Sequence, residues 1–82
     1  MQVMLYALST CGWCKKTRQL FDEHGVKYDY VYVDQQTGEE KERTLAEVRR
    51  WNPNTSFPTV VIDDNLVIVG FQEARLREAL KL

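Results

Sequence analysis

Cys11 and Cys14 are the only two cysteines in this 82-residue chain, and they stand together as Cys11-Gly12-Trp13-Cys14. Two thiols at that spacing, at the start of a helix, lie on one side of its first turn and can close a small disulfide ring. The pair follows an apolar run, Val3 to Leu8, and precedes a stretch that reads as a helix, Lys15 to His24. A helix N-terminus offers unsatisfied N–H groups and the positive end of the dipole, which favour a thiolate over a thiol. The thiolate is the species that attacks disulfides and ligates metals. The spacing therefore points to a reversible thiol–disulfide centre, with metal binding as its competitor.

Composition narrows the surroundings. A chain of 82 residues is expected to form one domain, residues 1–82, burying ~60–65% of its unfolded surface. A hydrophobic fraction of 44% with 11% aromatics suits a folded core and argues against disorder. The net charge of −1 supplies no basic field for nucleic acid. No apolar run approaches the roughly 20 residues a spanning helix needs, so a membrane is not an expected partner. Met1 to Leu8 lacks a basic n-region and reads as a strand rather than a leader. Two cysteines confined to one C-x-x-C do not make the disulfide framework of a secreted protein; they fit redox or metal chemistry in the cytoplasm.

Elements that must position the thiols follow in chain order. Val3 to Leu8 has the continuous apolar character of a central strand covered on both faces. A first helix is expected over Gly12–His24 with Thr17, Leu20 and Phe21 inward and Gly25 as its stop. His24, the one histidine, lies at the far end of that helix and reads as a C-terminal positive group, not a ligand. Val26 to Asp34 alternates as a second strand, with Tyr28, Tyr30 and Tyr32 on one face, explained by β-propensity and packing under a helix. Thr37-x-x-Glu40 fits a capping box at the head of a second helix, whose inward stripe is Leu45, Val48 and Trp51. Glu39 to Arg43 forms its solvated face, and Asn52-Pro53-Asn54 breaks it. The stretches Ser56–Ile62 and Leu66–Val69 hold two short apolar strands, the first starting just after Pro58, that turn at Asp63-Asp64-Asn65 as a hairpin. A final helix, Gln72–Leu80, would dock through Leu76, Ala79 and Leu80. The order β-α-β-α-β-β-α gives a four-stranded mixed sheet flanked by three helices, with the first two strands parallel.

These landmarks together resemble the glutaredoxins of the thioredoxin-fold superfamily, over essentially the whole chain. They are a strand then C-x-x-C opening the first helix, Pro58 before the third strand, and Gly70 between the fourth strand and the last helix. The resemblance implies a thioredoxin-like α/β fold and dithiol oxidoreductase activity toward protein or small-molecule disulfides. It makes Cys11 the exposed nucleophile and Cys14 the resolving thiol. Pro58 matches the family's cis-proline, with Phe57 presenting backbone groups to the substrate; Trp13, Gly70 and Phe71 complete the substrate-binding set. Lys15 and Lys16, with Arg18 and the helix N-terminus, are the expected causes of a lowered Cys11 pKa.

Departures from the family pattern bear on the electron donor. Gly12-Trp13 stands where glutaredoxins carry Pro-Tyr or Pro-Phe, Ser56-Phe57 where they carry Thr-Val, and Gly70-Phe71 where they carry Gly-Gly. Gly-Phe is similar to glutaredoxin-like electron donors of ribonucleotide reductase, which draw on thioredoxin reductase. The donor is thus open between a low-molecular-weight thiol, glutathione or another, and a flavoprotein reductase, with no tightly bound cofactor and a monomer as the expected working form. The alternative is an iron–sulfur cluster or metal carrier using the same cysteines across a dimer, since the chain has no second ligand pair of its own.

Overall fold

Strand β1 (Val3–Ala7) lies inside a four-stranded sheet and is covered on both faces, as its uninterrupted apolar run requires. The computed structural model describes residues 1–82. After β1 come α1 (Gly12–Glu23), β2 (Asp29–Tyr32), a short 3-10 turn at Val33–Gln35, α2 (Gly38–Trp51), β3 (Thr59–Ile62), β4 (Leu66–Val69) and α3 (Glu73–Leu80). The sheet order is β2-β1-β3-β4. Strand β1 runs parallel to β2, with Ala7 opposite Tyr32, and antiparallel to β3, with Tyr6 opposite Thr59. Strands β3 and β4 pair antiparallel, Thr59 opposite Val69. This is the thioredoxin-like arrangement expected from the sequence.

Alternation along the strands divides the core into two layers. On one face Val3, Leu5, Ala7, Val60, Ile62 and Ile68 pack beneath Leu20 and Phe21 of α1 and Leu76 of α3. On the other, Tyr6 and Val61 pack beneath Val48 of α2, with Trp51 beside them. The Tyr6 hydroxyl donates to Glu47 Oε2 on α2 (3.2 Å), and burial with that carboxylate pushes the phenol up to about 12. The bond ties α2 to β1 at the centre of the second layer. No helix is long and apolar enough to cross a membrane.

Three local expectations are corrected. The second strand is shorter than Val26–Asp34 because β1 offers partners only from Met4 to Ala7, and β2 extends no further than its ladder. Beyond it Val33 turns inward and is buried, starting the 3-10 turn that carries Asp34. Thr37 precedes α2 but its side chain makes no capping bond. Gly38, at φ +59, turns the chain in the left-handed region just where a capping box needs regular helical backbone after the cap. Helix α3 begins at Glu73, with Gln72 as its flanking residue, while Leu76 is buried as expected.

Phe21 is fully buried between α1 and the sheet, with Tyr28 edge-on to its ring at 5.0 Å. Phe21→Ala should lower unfolding free energy by ~3–5 kcal/mol. Lys41→Ala, on the exposed face of α2, should stay within ~0.5 kcal/mol of the parent. Urea unfolding of the two variants measures both.

Candidate active site

Cys11 immediately precedes α1 and serves as its N-cap. Its backbone is extended (φ −86, ψ 117), and the Cys14 N–H donates to its Sγ at 3.1 Å. Sulfur here replaces the Ser, Thr, Asp or Asn oxygen that usually satisfies a free helix amide. Both cysteines are free thiols, Cys11 half-exposed and Cys14 only 1% exposed, facing the core beside Leu20 and Phe21. Burial pushes the Cys14 thiol up to about 12; its contact with Cys11 and the negative charge of Asp34 act the same way, against a Leu8 backbone hydrogen bond that lowers it. The fold thus keeps Cys14 protonated beyond the pH near 9 at which an ordinary thiol ionises. Because the folded chain then holds a proton the unfolded chain has lost, this group's contribution to stability falls as pH rises above about 9.

The strand ladder brings the remaining sequence-predicted residues to the same end of the sheet. Pro58 precedes β3, whose first residue, Thr59, lies opposite Tyr6, so Pro58 sits beside the end of β1 from which the Leu8–Cys11 loop departs. The Phe57–Pro58 bond is cis, and the Pro58 carbonyl accepts the Gly70 N–H at 2.8 Å. Gly70, at φ +81, turns the chain out of β4 in the left-handed region that glycine tolerates. Phe71, next along, packs against the first core layer, as do Cys11 and Phe57. Its ring stacks on Trp13 at 5.8 Å and 21°. Trp13 is 58% exposed, and the two rings make an aromatic rim beside Cys11. The backbone N–H and C=O of Phe57 take no backbone partner within the chain.

The basic side chains divide. Lys16 Nζ lies over the Trp13 ring, 4.9 Å from its centre, and the Lys15 side chain stands in solvent. Arg18 is committed to the tyrosine row: its Nε donates to the Tyr28 hydroxyl (3.1 Å), its Nη1 to the Tyr32 hydroxyl (2.5 Å), and the guanidinium lies 3.9 Å from the Tyr30 ring centre. That engagement removes Arg18 from the set expected to act on Cys11. His24 uses Nδ1 toward the Leu20 carbonyl at 3.0 Å, near the C-terminus of α1 and far from the thiols.

One contact was not foreseen. Asp34 Oδ1 accepts the Ser9 N–H at 2.9 Å and Oδ2 accepts the Ser9 hydroxyl, which holds the Asp34 carboxyl below the ordinary carboxylate range. This two-pronged tether fixes the loop leading into Cys11. Twenty-five positions separate the partners, and no local pattern announces the pairing. No three His, Cys, Asp or Glu side chains stand close enough to hold a metal ion, so a metal here would need ligands from outside the chain.

Comparison with known proteins places this geometry. The sequence profile of the glutaredoxin family matches residues 3–67. A crystal structure described as a glutaredoxin from Methanosarcina mazei Go1 is 53% identical, with a TM-score of 0.90 over 99% of this chain and 79% of that one. Methanosarcina acetivorans methanoredoxin is 47% identical, with a TM-score of 0.95 over 99% of this chain and 85% of that one. An uncharacterised glutaredoxin-like protein of the rubredoxin operon of Clostridium pasteurianum is 30% identical over 96% of this chain and 97% of its own length.

Two outcomes follow from the geometry of the pair. At pH 8, iodoacetamide should label one thiol rapidly, and Cys11→Ser, not Cys14→Ser, should remove the fast phase; equal labelling of both would contradict the buried, protonated Cys14. Gly12 is the first residue of α1, its N–H takes no backbone partner, a Cβ there meets nothing within 4 Å, and Cys11 already has the extended backbone that a following proline demands. Gly12→Pro should therefore raise stability by ~0.4–1 kcal/mol in thermal or urea unfolding.

Proposed function

Because the chain belongs to the glutaredoxin family, we propose that its thiol–disulfide chemistry runs through Cys11 as nucleophile and Cys14 as resolving thiol, on protein or small-molecule disulfides. The observation that carries this reading is the contrast between the thiols: Cys11 is half-exposed at the helix N-terminus, and Cys14 is buried and protonated one turn in. The Cys14 amide and the helix dipole stabilise negative charge on Cys11 Sγ.

In the proposed sequence the Cys11 thiolate attacks one sulfur of the substrate disulfide. That S–S bond breaks, a mixed disulfide forms, and the leaving thiolate takes a proton. Cys14 then attacks Cys11 Sγ as its own proton passes to the second leaving sulfur. The products are two substrate thiols and a Cys11–Cys14 disulfide, a transfer of two electrons and two protons. Trp13 and Phe71 contact the apolar surface around the substrate disulfide. The unpaired backbone of Phe57 beside Pro58 supports antiparallel pairing with a substrate backbone.

The oxidised pair needs two equivalents of a small thiol, glutathione or another, or a flavoprotein thioredoxin reductase. Phe71 at the second position of the family's Gly-Gly pair, stacked on Trp13, favours a donor other than glutathione. The same Gly70-Phe71 pair supports a protein target of the ribonucleotide reductase kind. The protein is proposed to work as a monomer in the reducing cytoplasm.

Turnover of a protein disulfide separates the roles. Cys11→Ser should reduce the rate by ~10³-fold or more, as loss of a nucleophile does, whereas Cys14→Ser should trap the mixed disulfide, visible by mass. The opposite pattern would reverse the assignment. Reduction of the oxidised protein by glutathione, other small thiols and thioredoxin reductase should leave glutathione slowest; glutathione as the fastest donor would refute the reading of Phe71.

A further inference from the structure

Asn52 looks from the sequence like an ordinary helix breaker before Pro53. In the fold it is only 4% exposed. A buried carboxamide is costly unless its donors and acceptor are used, and every bond its side chain makes runs into the segment Asn54–Thr59 around Pro58. Its Nδ2 donates to the Ser56 carbonyl (3.1 Å), the Ser56 hydroxyl (3.0 Å) and the Thr59 hydroxyl (3.2 Å), and its Oδ1 accepts the Asn54 N–H (3.2 Å). The Thr59 hydroxyl in turn donates to the Ser56 carbonyl at 2.7 Å, closing the ring. The backbone joins in: the Asn52 N–H donates to the Val48 carbonyl at 2.6 Å, and the Asn52 carbonyl accepts the Thr55 N–H at 2.9 Å. Thr55 is thereby held at φ +48, a region a β-branched residue rarely enters.

We propose that Asn52 is a positioning residue for the disulfide reaction, fixing the backbone of Phe57 where a substrate chain pairs with it; this rests on the dithiol reading above. One end of the node is anchored in α2, whose Val48 packs on Tyr6 and Val61. The other end grips Ser56 and Thr59, the residues that bracket Phe57–Pro58. Phe57 has no backbone hydrogen bond of its own, so its N–H and C=O are aimed by these flanking ties, by the Gly70 N–H held on the Pro58 carbonyl, and by its ring, which touches both core layers. Losing the node frees the two groups that a polypeptide substrate needs and leaves Cys11, on a different loop, in place.

The test compares Asn52→Asp, Thr59→Val and Thr59→Ser with the parent. Asn52→Asp keeps shape but removes the donor, Thr59→Val removes the bridging hydroxyl, and Thr59→Ser retains it. Four readings are taken: KM and kcat on a polypeptide disulfide, reduction of a small disulfide without a peptide backbone, the rate of Cys11 alkylation, and thermal unfolding. Asn52→Asp and Thr59→Val should raise the polypeptide KM by ~10-fold while kcat moves far less, the pattern of lost binding that ground and transition states share. The small-disulfide and alkylation rates should move by less than ~2-fold, and Thr59→Ser should return KM to the parental value. Should Asn52→Asp fail to fold, the Thr59 pair alone decides. Parental KM in Thr59→Val, or all rates falling together with thermal stability, would overturn the assignment while the dithiol reading stands. A parent that reduces neither disulfide overturns that reading and the assignment with it.

Discussion

The pairing of β1 with β3 governs everything at the redox end of the molecule. With Tyr6 set opposite Thr59, the end of β1 that feeds Cys11 lies beside Pro58. With Thr59 opposite Val69, the same ladder delivers Gly70 and Phe71. On the other flank Ala7 opposite Tyr32 brings Asp34 to Ser9. A slip of one residue in the central pairing would turn Leu5 and Val60 out of their layer and break the alternation that buries both faces. The register is thus held by the hydrophobic layers, and the site takes its geometry from them.

Within that frame the two thiols are made unequal by depth. Cys11 occupies the N-cap, where an amide points at its sulfur, and Cys14 lies one turn along, where α1 faces the sheet. The same helical periodicity that buries Thr17, Leu20 and Phe21 also buries Cys14. A change in the angle of α1 would alter core packing and thiol chemistry together, because one helix face serves both.

The rim around the thiols is apolar and aromatic, not charged. Lys16 turns onto Trp13, and Arg18 is committed to Tyr28, just before β2, and to Tyr30 and Tyr32 within it. Charges placed by sequence proximity therefore serve partly to cover aromatic rings, as long cationic side chains with apolar stems can. What lies beside Cys11 is the Trp13–Phe71 stack and the unpaired backbone of Phe57.

Local pattern alone determined the placement of the two cysteines at the head of α1, the α1 face, the hairpin at Asp63-Asp64-Asn65 and the element order, because each depends on residues a few positions apart. The thioredoxin-like fold was legible too, since C-x-x-C, Pro58 and Gly70 occur at revealing intervals. The capping box was misread because Gly38 takes a left-handed backbone that no side-chain pattern encodes, and the second strand was overextended because its length is set by the partner it pairs with. Only the tertiary structure decided that Asp34 holds Ser9, that Asn52 is buried at the hub of the Pro58 loop, and that Arg18 faces tyrosines. Those contacts join segments whose sequences carry no record of one another. They exist because the sheet brings distant loops to one edge, where buried polar groups must find partners.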